Sequence, residues 1–244
     1  MLELSKEIKE KIACPSNLTI DINGTKYYIK KAKDEVDGIE LVIEELAKLV
    51  NIKCAHYERV KVDNNIYYLS EDLGKDKPFR NAAIPVWYSN KLNDIFNALE
   101  ATYPNQIVFL IDEIVKIFIF DSLIINYDRS YYNWGFNYDK NGISDVVIYD
   151  NEFSFTSLSK GEMHFTDEHL NNIYELVEFL KASPHFIEMF NEMYNILKPE
   201  VIFETFNKIQ RENNIIFEKK EIFVRNYLKN YILIGEQMRG KTLL

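Results

Sequence analysis

The stretch Phe118–Phe155, FIFDSLIINYDRSYYNWGFNYDKNGISDVVIYDNEFSF, decides how this chain is put together. Asp128 and Asn133 stand in the spacing D-x-x-x-x-N. A phosphoryl-transfer loop uses that spacing to place a hydroxyl-orienting carboxylate and a metal-holding amide. Two short apolar runs follow, Trp134–Tyr138 and Val146–Tyr149, around the turn signal Asp139-Lys140-Asn141-Gly142. The pair reads as a hairpin, and a hairpin returns the chain to where it started. Asp150 is thereby expected beside Asn133, where both can share a Mg²⁺ ion. A D-x-x-x-x-N pair by itself is a weak signal, because Asp and Asn also populate loops simply as turn formers. The order apolar helix, loop, hairpin, apolar strand, Asp is what gives the three residues a way to meet.

Working outward, the segment ahead of the loop, Ile107–Ile125, is the longest apolar tract. Asp112, Glu113, Lys116 and Asp121 interrupt it. Four charges make a bilayer span costly, so a buried helix over Gln106–Asn126 is expected. Lys91–Ala101 reads as another helix. Gly74–Asn90 carries Gly, Lys and Pro and reads as an irregular linker. After Phe155 a polar loop to Thr166 leads into helical periodicity over 167–239, cut at Ser183-Pro184 and Lys198-Pro199, which predicts three to five helices.

At the other end, Leu2–Ile12 is amphipathic and charged, unlike a secretory signal. Leu18–Ile22 and Lys26–Lys30 alternate around Asn23-Gly24, a two-residue hairpin signal. Ile39, Val42, Ile43, Leu46, Leu49 and Val50 follow a helical period. His56–Val62 and Ile66–Leu73 flank Asp63-Asn64-Asn65 as a second hairpin. The result is an α+β chain with a bilobal, protein-kinase-like plan. A small ββαββ N-lobe occupies 1–73, a hinge and linker 74–90, and a larger, mainly helical C-lobe 91–244.

Composition narrows the function. The chain has 244 residues, of which 47% are hydrophobic, enough to build a sizeable core. A net charge of −9 leaves no basic field for nucleic acid. No membrane partner is expected. The two cysteines, Cys14 and Cys54, and the four histidines form no metal pattern. A reducing cytoplasmic setting follows, with a secreted effector left open.

Phosphoryl transfer further requires a lysine for the α- and β-phosphates and a helical glutamate to orient it. Lys30 and Lys31 both end a strand, but on opposite faces, so one alone can meet the cleft. Glu40, Glu44 and Glu45 are the glutamates available on the next helix. Glu71, Asp72 and Leu73 end the last small-lobe strand, where backbone groups can pair with adenine. No G-x-G-x-x-G is present. Pro15-Ser16-Asn17, ahead of the first strand, is the alternative phosphate loop, with Ser16 as its side-chain ligand.

These segments resemble the HipA-like serine/threonine kinases, the bacterial toxin kinases and their single-domain relatives. TKYYIKKAK is similar to the family's lysine strand and IELVIEELAKLVNI to its glutamate helix. NNIYYLSEDL resembles the hinge strand, FIFDSLIINYDRSYYNWGF the catalytic loop, and VVIYDNEFSF the metal-binding segment. The resemblance implies Lys30 as phosphate ligand and Glu40 as its partner, with Glu44 still open. It also implies Asp128 as the catalytic residue and Asn133 and Asp150 as metal ligands. ATP and Mg²⁺ are the implied cofactors. A protein hydroxyl is the implied acceptor, autophosphorylation included, with a partner or antitoxin chain as an associate. The core starts near residue 12, so the N-terminal subdomain of full-length HipA is expected to be absent. Two other functions fit the same residues: a small-molecule phosphotransferase acting on aminoglycosides or sugars, and a nucleotide-binding pseudokinase module.

Overall fold

A computed structural model describes residues 4–14, 16–32, 37–81, 92–126, 129, 133–151, 154 and 167–240, with the backbone alone for 92–94 and 167–172. The first sheet runs β1-β2-β5-β4 and is antiparallel throughout. β1 (Thr19–Ile22) and β2 (Thr25–Lys31) turn at Asn23-Gly24, whose φ angles of 56° and 80° are those a tight I′ hairpin needs. β4 (Tyr57–Val62) and β5 (Asn65–Glu71) form the second hairpin.

Alternation along these strands gives the sheet two apolar faces with separate cores. Tyr27, Val60, Val62, Tyr67 and Leu69 face α1 (Lys6–Ala13) and pack around Ile12. Tyr57 and Tyr68 face the other way, into the main core under α2 (Ile39–Leu49). Lys30 pairs across the ladder with Tyr68, so it lies on the α2 side of the sheet.

The second sheet runs β3-β8-β7-β6. β7 (Trp134–Asp139) and β8 (Gly142–Ile148) are the hairpin expected after the catalytic loop. Two additions were not legible in the sequence. β3 (Lys53–Cys54), a two-residue piece between α2 and β4, joins β8 in parallel. β6 (Phe79–Asn81), inside the stretch expected to be irregular, pairs with β7. The chain thus crosses from the first sheet to the second twice, and α2 is tied through β3 to β8, the strand that ends two residues before Asp150.

α3 (Leu92–Thr102) and α4 (Ile107–Ile124) follow, then α5 (Asp167–Lys181), α6 (Pro184–Ile196), α7 (Pro199–Asn213) and α8 (Lys220–Met238). The four described helices after residue 166 fall within the expected three to five. α4 is buried along most of its length, from Leu110 to Ile124, because helices pack on one side and the second sheet on the other. Proline at the first helical position starts α6 and α7, where the missing N–H costs nothing. Among the described residues no helix is long and apolar enough to cross a membrane.

Candidate active site

The site is assembled where α2, the end of β2 and the end of β8 meet. Lys30 Nζ lies 3.4 Å from Glu40 Oε1 and also bonds Asp150 Oδ1. Strand parity explains the choice of lysine. Ile29 and Lys31 point to the α1 side of the sheet, and Lys30 points to the α2 side. Its side chain remains about one-third exposed, on the cleft.

Glu40 is 2% exposed and receives two kinds of donor. One is Lys30, and the other is the Asn151 backbone N–H, at 3.0 and 2.9 Å from its two oxygens. Burial nevertheless pushes the Glu40 carboxyl above its ordinary range, with Asp150 adding to the rise. Glu44, one turn later, takes other partners. It accepts from His56 Nδ1 at 2.7 Å, Lys48 Nζ at 2.8 Å and the Tyr57 N–H at 3.1 Å. Glu45 pairs with Lys48 and, through an ion pair, with Lys208 on α7. Of the three helix glutamates, Glu40 is the one in contact with Lys30.

Asp150 sits at φ 53°, a left-handed conformation that Asp tolerates better than most residues. Its N–H donates to the Tyr57 hydroxyl at 2.8 Å, which helps fix the bend. The residue before it, Tyr149, donates its N–H to the Asn133 carbonyl at 3.0 Å. Asn133 and Asp150 are therefore neighbours at the base of one hairpin, although 17 positions separate them in sequence. Asp128 lies outside the described residues.

The chain just past β5 continues the sheet. The Asp72 N–H donates to the Lys26 carbonyl at 3.0 Å, so alternation turns the backbone groups of Glu71 away from β2. They face past Tyr57, the first residue of β4, which pairs with Ser70. The Leu73 carbonyl accepts Asn137 Nδ2 at 2.8 Å. Ser16 is exposed, with its hydroxyl 3.0 Å from Cys14 Sγ, and makes no described hydrogen bond to the Lys30 cluster.

With this geometry in view, the chain can be set beside known proteins. No protein-family model and no curated protein sequence matches it. Solved structures do, among them the following two. One is the Helicobacter pylori proinflammatory kinase CtkA, with a TM-score of 0.63 at 14% identity over 92% of each chain. The other is Shewanella oneidensis MR-1 HipA, from a complex with HipB and operator DNA. It has a TM-score of 0.62 at 15% identity over 93% of this chain and 65% of that one. The chain has the HipA-like kinase fold. In it Lys30, Glu40 and Asp150 meet where the end of β2, α2 and the residues after β8 come together.

Sequence reasoning missed the polar residues behind this site. Arg129 is 6% exposed at the side chain and forks onto Asp121, which is equally buried. Asn151 is fully buried. One signal was present. Asp121 lies near the end of an otherwise apolar helix, and a buried carboxylate demands a cation. Arg129, eight residues on, is the first cation after it in the chain.

The residues present suit a hard divalent cation. Asp150 offers a carboxylate that is nearly half exposed and already held against a positive charge, the Lys30 ammonium. Among the described residues no group of three or more His, Cys, Asp and Glu is placed to hold a metal. One carboxylate and one amide leave most positions of an octahedral ion to phosphate oxygens and water, as Mg²⁺ prefers.

Proposed function

We propose that this chain is a Mg-ATP-dependent protein serine/threonine kinase of the HipA-like type. The observation that carries the reading is Lys30, held between Glu40 and Asp150 across 120 residues of sequence. In this reading residues 1–73 cover the nucleotide, 74–90 form the hinge and linker, and 91–244 carry the catalytic loop and hairpin. ATP lies between them, with adenine against the backbone of Glu71 and Leu73.

Lys30 donates to the α- and β-phosphates, and Glu40 keeps its ammonium pointed into the cleft. Ser16 and its neighbours reach the phosphates from the first loop. Asn133 and Asp150 hold Mg²⁺, which when bound neutralises charge on the phosphate oxygens. Asp128 orients the acceptor hydroxyl for in-line attack. With nucleotide bound, Lys30 would pair with phosphate in place of Asp150, whose carboxylate would then be available to hold the metal. A partner chain enters by the same likeness, since the Shewanella HipA was solved with HipB.

The test is γ-phosphate labelling with purified protein, Mg²⁺ and a bacterial lysate. Label is expected on this chain or on a lysate polypeptide, and not with Asp128→Ala. No transfer, or equal transfer by the variant, overturns the reading. Label on small metabolites alone moves the chain to the small-molecule phosphotransferases.

A further inference from the structure

We infer that Arg129 is a positioning residue that sets the spacing of the proposed metal ligands, Asn133 and Asp150. The inference rests on the kinase reading above. A guanidinium carries five N–H donors in a fixed plane. Here the described contacts use all of them. Nε and Nη2 reach the two oxygens of Asp121, each at 2.8 Å. Nη1 reaches the carbonyls of Asn133 at 2.8 Å and Tyr149 at 3.3 Å. Nη2 also reaches Asn151 Oδ1 at 2.7 Å.

The placement of these acceptors is the argument. One is the backbone of Asn133 itself. Two others, Tyr149 and Asn151, flank Asp150 on either side. The fourth, Asp121, anchors the fork to the last turns of α4. Asp121 is itself held by the Asn126 side chain at 3.1 Å. Asn151 then carries the connection onward, because its N–H holds Glu40, which holds Lys30. One buried cation therefore joins the catalytic-loop end, the metal-ligand bend and the lysine-orienting helix. An ordinary buried ion pair would need Asp121 alone. Three further bonds to the segments bearing the ligands are what a positioning role adds.

The experiment measures Mg²⁺-dependent tightening of a fluorescent ADP analogue. It compares the full chain with Arg129→Lys and with the paired variant Asp121→Leu/Arg129→Met. The pair removes both charges together, which buried pairs often tolerate, and melting temperature checks folding. Arg129→Lys keeps the charge opposite Asp121 and loses the fork, so it reads the same property if the pair does not fold. Both variants are expected to bind the analogue without Mg²⁺ within about twofold of wild type. The tightening by Mg²⁺ should fall by about tenfold or more, as it would on displacing a ligand's support. Unchanged Mg²⁺ tightening in a folded variant overturns the inference and leaves the kinase reading intact. No Mg²⁺-dependent nucleotide binding by wild type overturns both.

Discussion

Glu40 and Glu44 are the same residue type, one turn apart on one face of α2, and nearly equally buried at 2% and 5% exposed. Their carboxyls shift in opposite directions. Burial raises Glu40 and prevails over Lys30 and the Asn151 N–H. Burial also works against Glu44, but His56, Lys48 and the Tyr57 N–H outweigh it and hold that carboxyl below its ordinary range. The difference lies in how many cations stand close to each. Lys30 divides its charge between Glu40 and Asp150, whereas Glu44 has two cations within 2.8 Å. Glu40 is left partly uncompensated because its one lysine stands at 3.4 Å and also bonds Asp150, whereas Glu44 keeps two closer cations even though Lys48 also pairs with Glu45. A ligand that replaces Asp150 as the lysine's partner changes the field at Glu40 and leaves Glu44 alone.

The sharpest way to break this contrast is to neutralise each glutamate in turn. Glu40→Gln should lower phosphoryl transfer by on the order of 10²-fold, the range for losing one preorganised electrostatic group. Glu44→Gln should retain transfer within about threefold, which is under 1 kcal/mol of barrier. Initial rates under saturating Mg-ATP decide it, and equal losses in the two variants would end the distinction. Next in size is Gly38→Ala. Gly38 caps α2 at φ 89°, and an added Cβ would come within 2.6–2.9 Å of Phe217 and Ile215. Both the backbone and the space forbid it, at a cost of about 1–3 kcal/mol. A fall in melting temperature of roughly 3–10 °C follows. Transfer should fall with it, because Glu40 lies two residues from the displaced cap. Preserved activity in the destabilised variant would show that α2 can shift without disturbing Lys30.

Much of this was visible in the sequence because its signals are local. Asn23-Gly24 and Asp139-Lys140-Asn141-Gly142 force hairpins by turn chemistry. A hairpin that starts just after Asn133 brings Asp150 back to it regardless of what packs around it. Strand parity reduced Lys30 and Lys31 to a choice of one. The choice among Glu40, Glu44 and Glu45 could not be made by spacing, since 40 and 44 share a face. It depends on β3, two residues long, which pulls the far end of α2 onto β8. No pattern in Lys53-Cys54 announces a strand that joins a sheet built some 90 residues later. The Arg129 fork was hidden for a related reason. Two of its acceptors are backbone carbonyls, which every residue has, and the side-chain amide of Asn151 meets it only through the fold.

The smallest expected effect tests the Glu44 half of the contrast through pH. The hydrogen bond to Glu44 raises His56 from 6.5 to about 9, against partial burial that lowers it, with Glu58 helping. Folding therefore favours the protonated ring. Below pH 6.5 folded and unfolded chains both carry the proton, and the contribution is fully present. Between 6.5 and 9 the unfolded chain loses the proton first, so the contribution declines, and above 9 it is gone. The lowered Glu44 carboxyl acts in the opposite sense. Its contribution is present above its ordinary value of 4.5 and is lost as acid titrates the folded form. The pair is worth most between those limits. The His56 side chain is 53% exposed, so solvent screening holds its part to about 1 kcal/mol or less. Melting temperatures of wild type and His56→Gln should differ most near pH 6 and converge near pH 10, with about 0.5 M salt shrinking the difference. A constant offset across that range would mean that His56 contributes by packing, and that Glu44 owes its low carboxyl to Lys48 and the Tyr57 N–H instead.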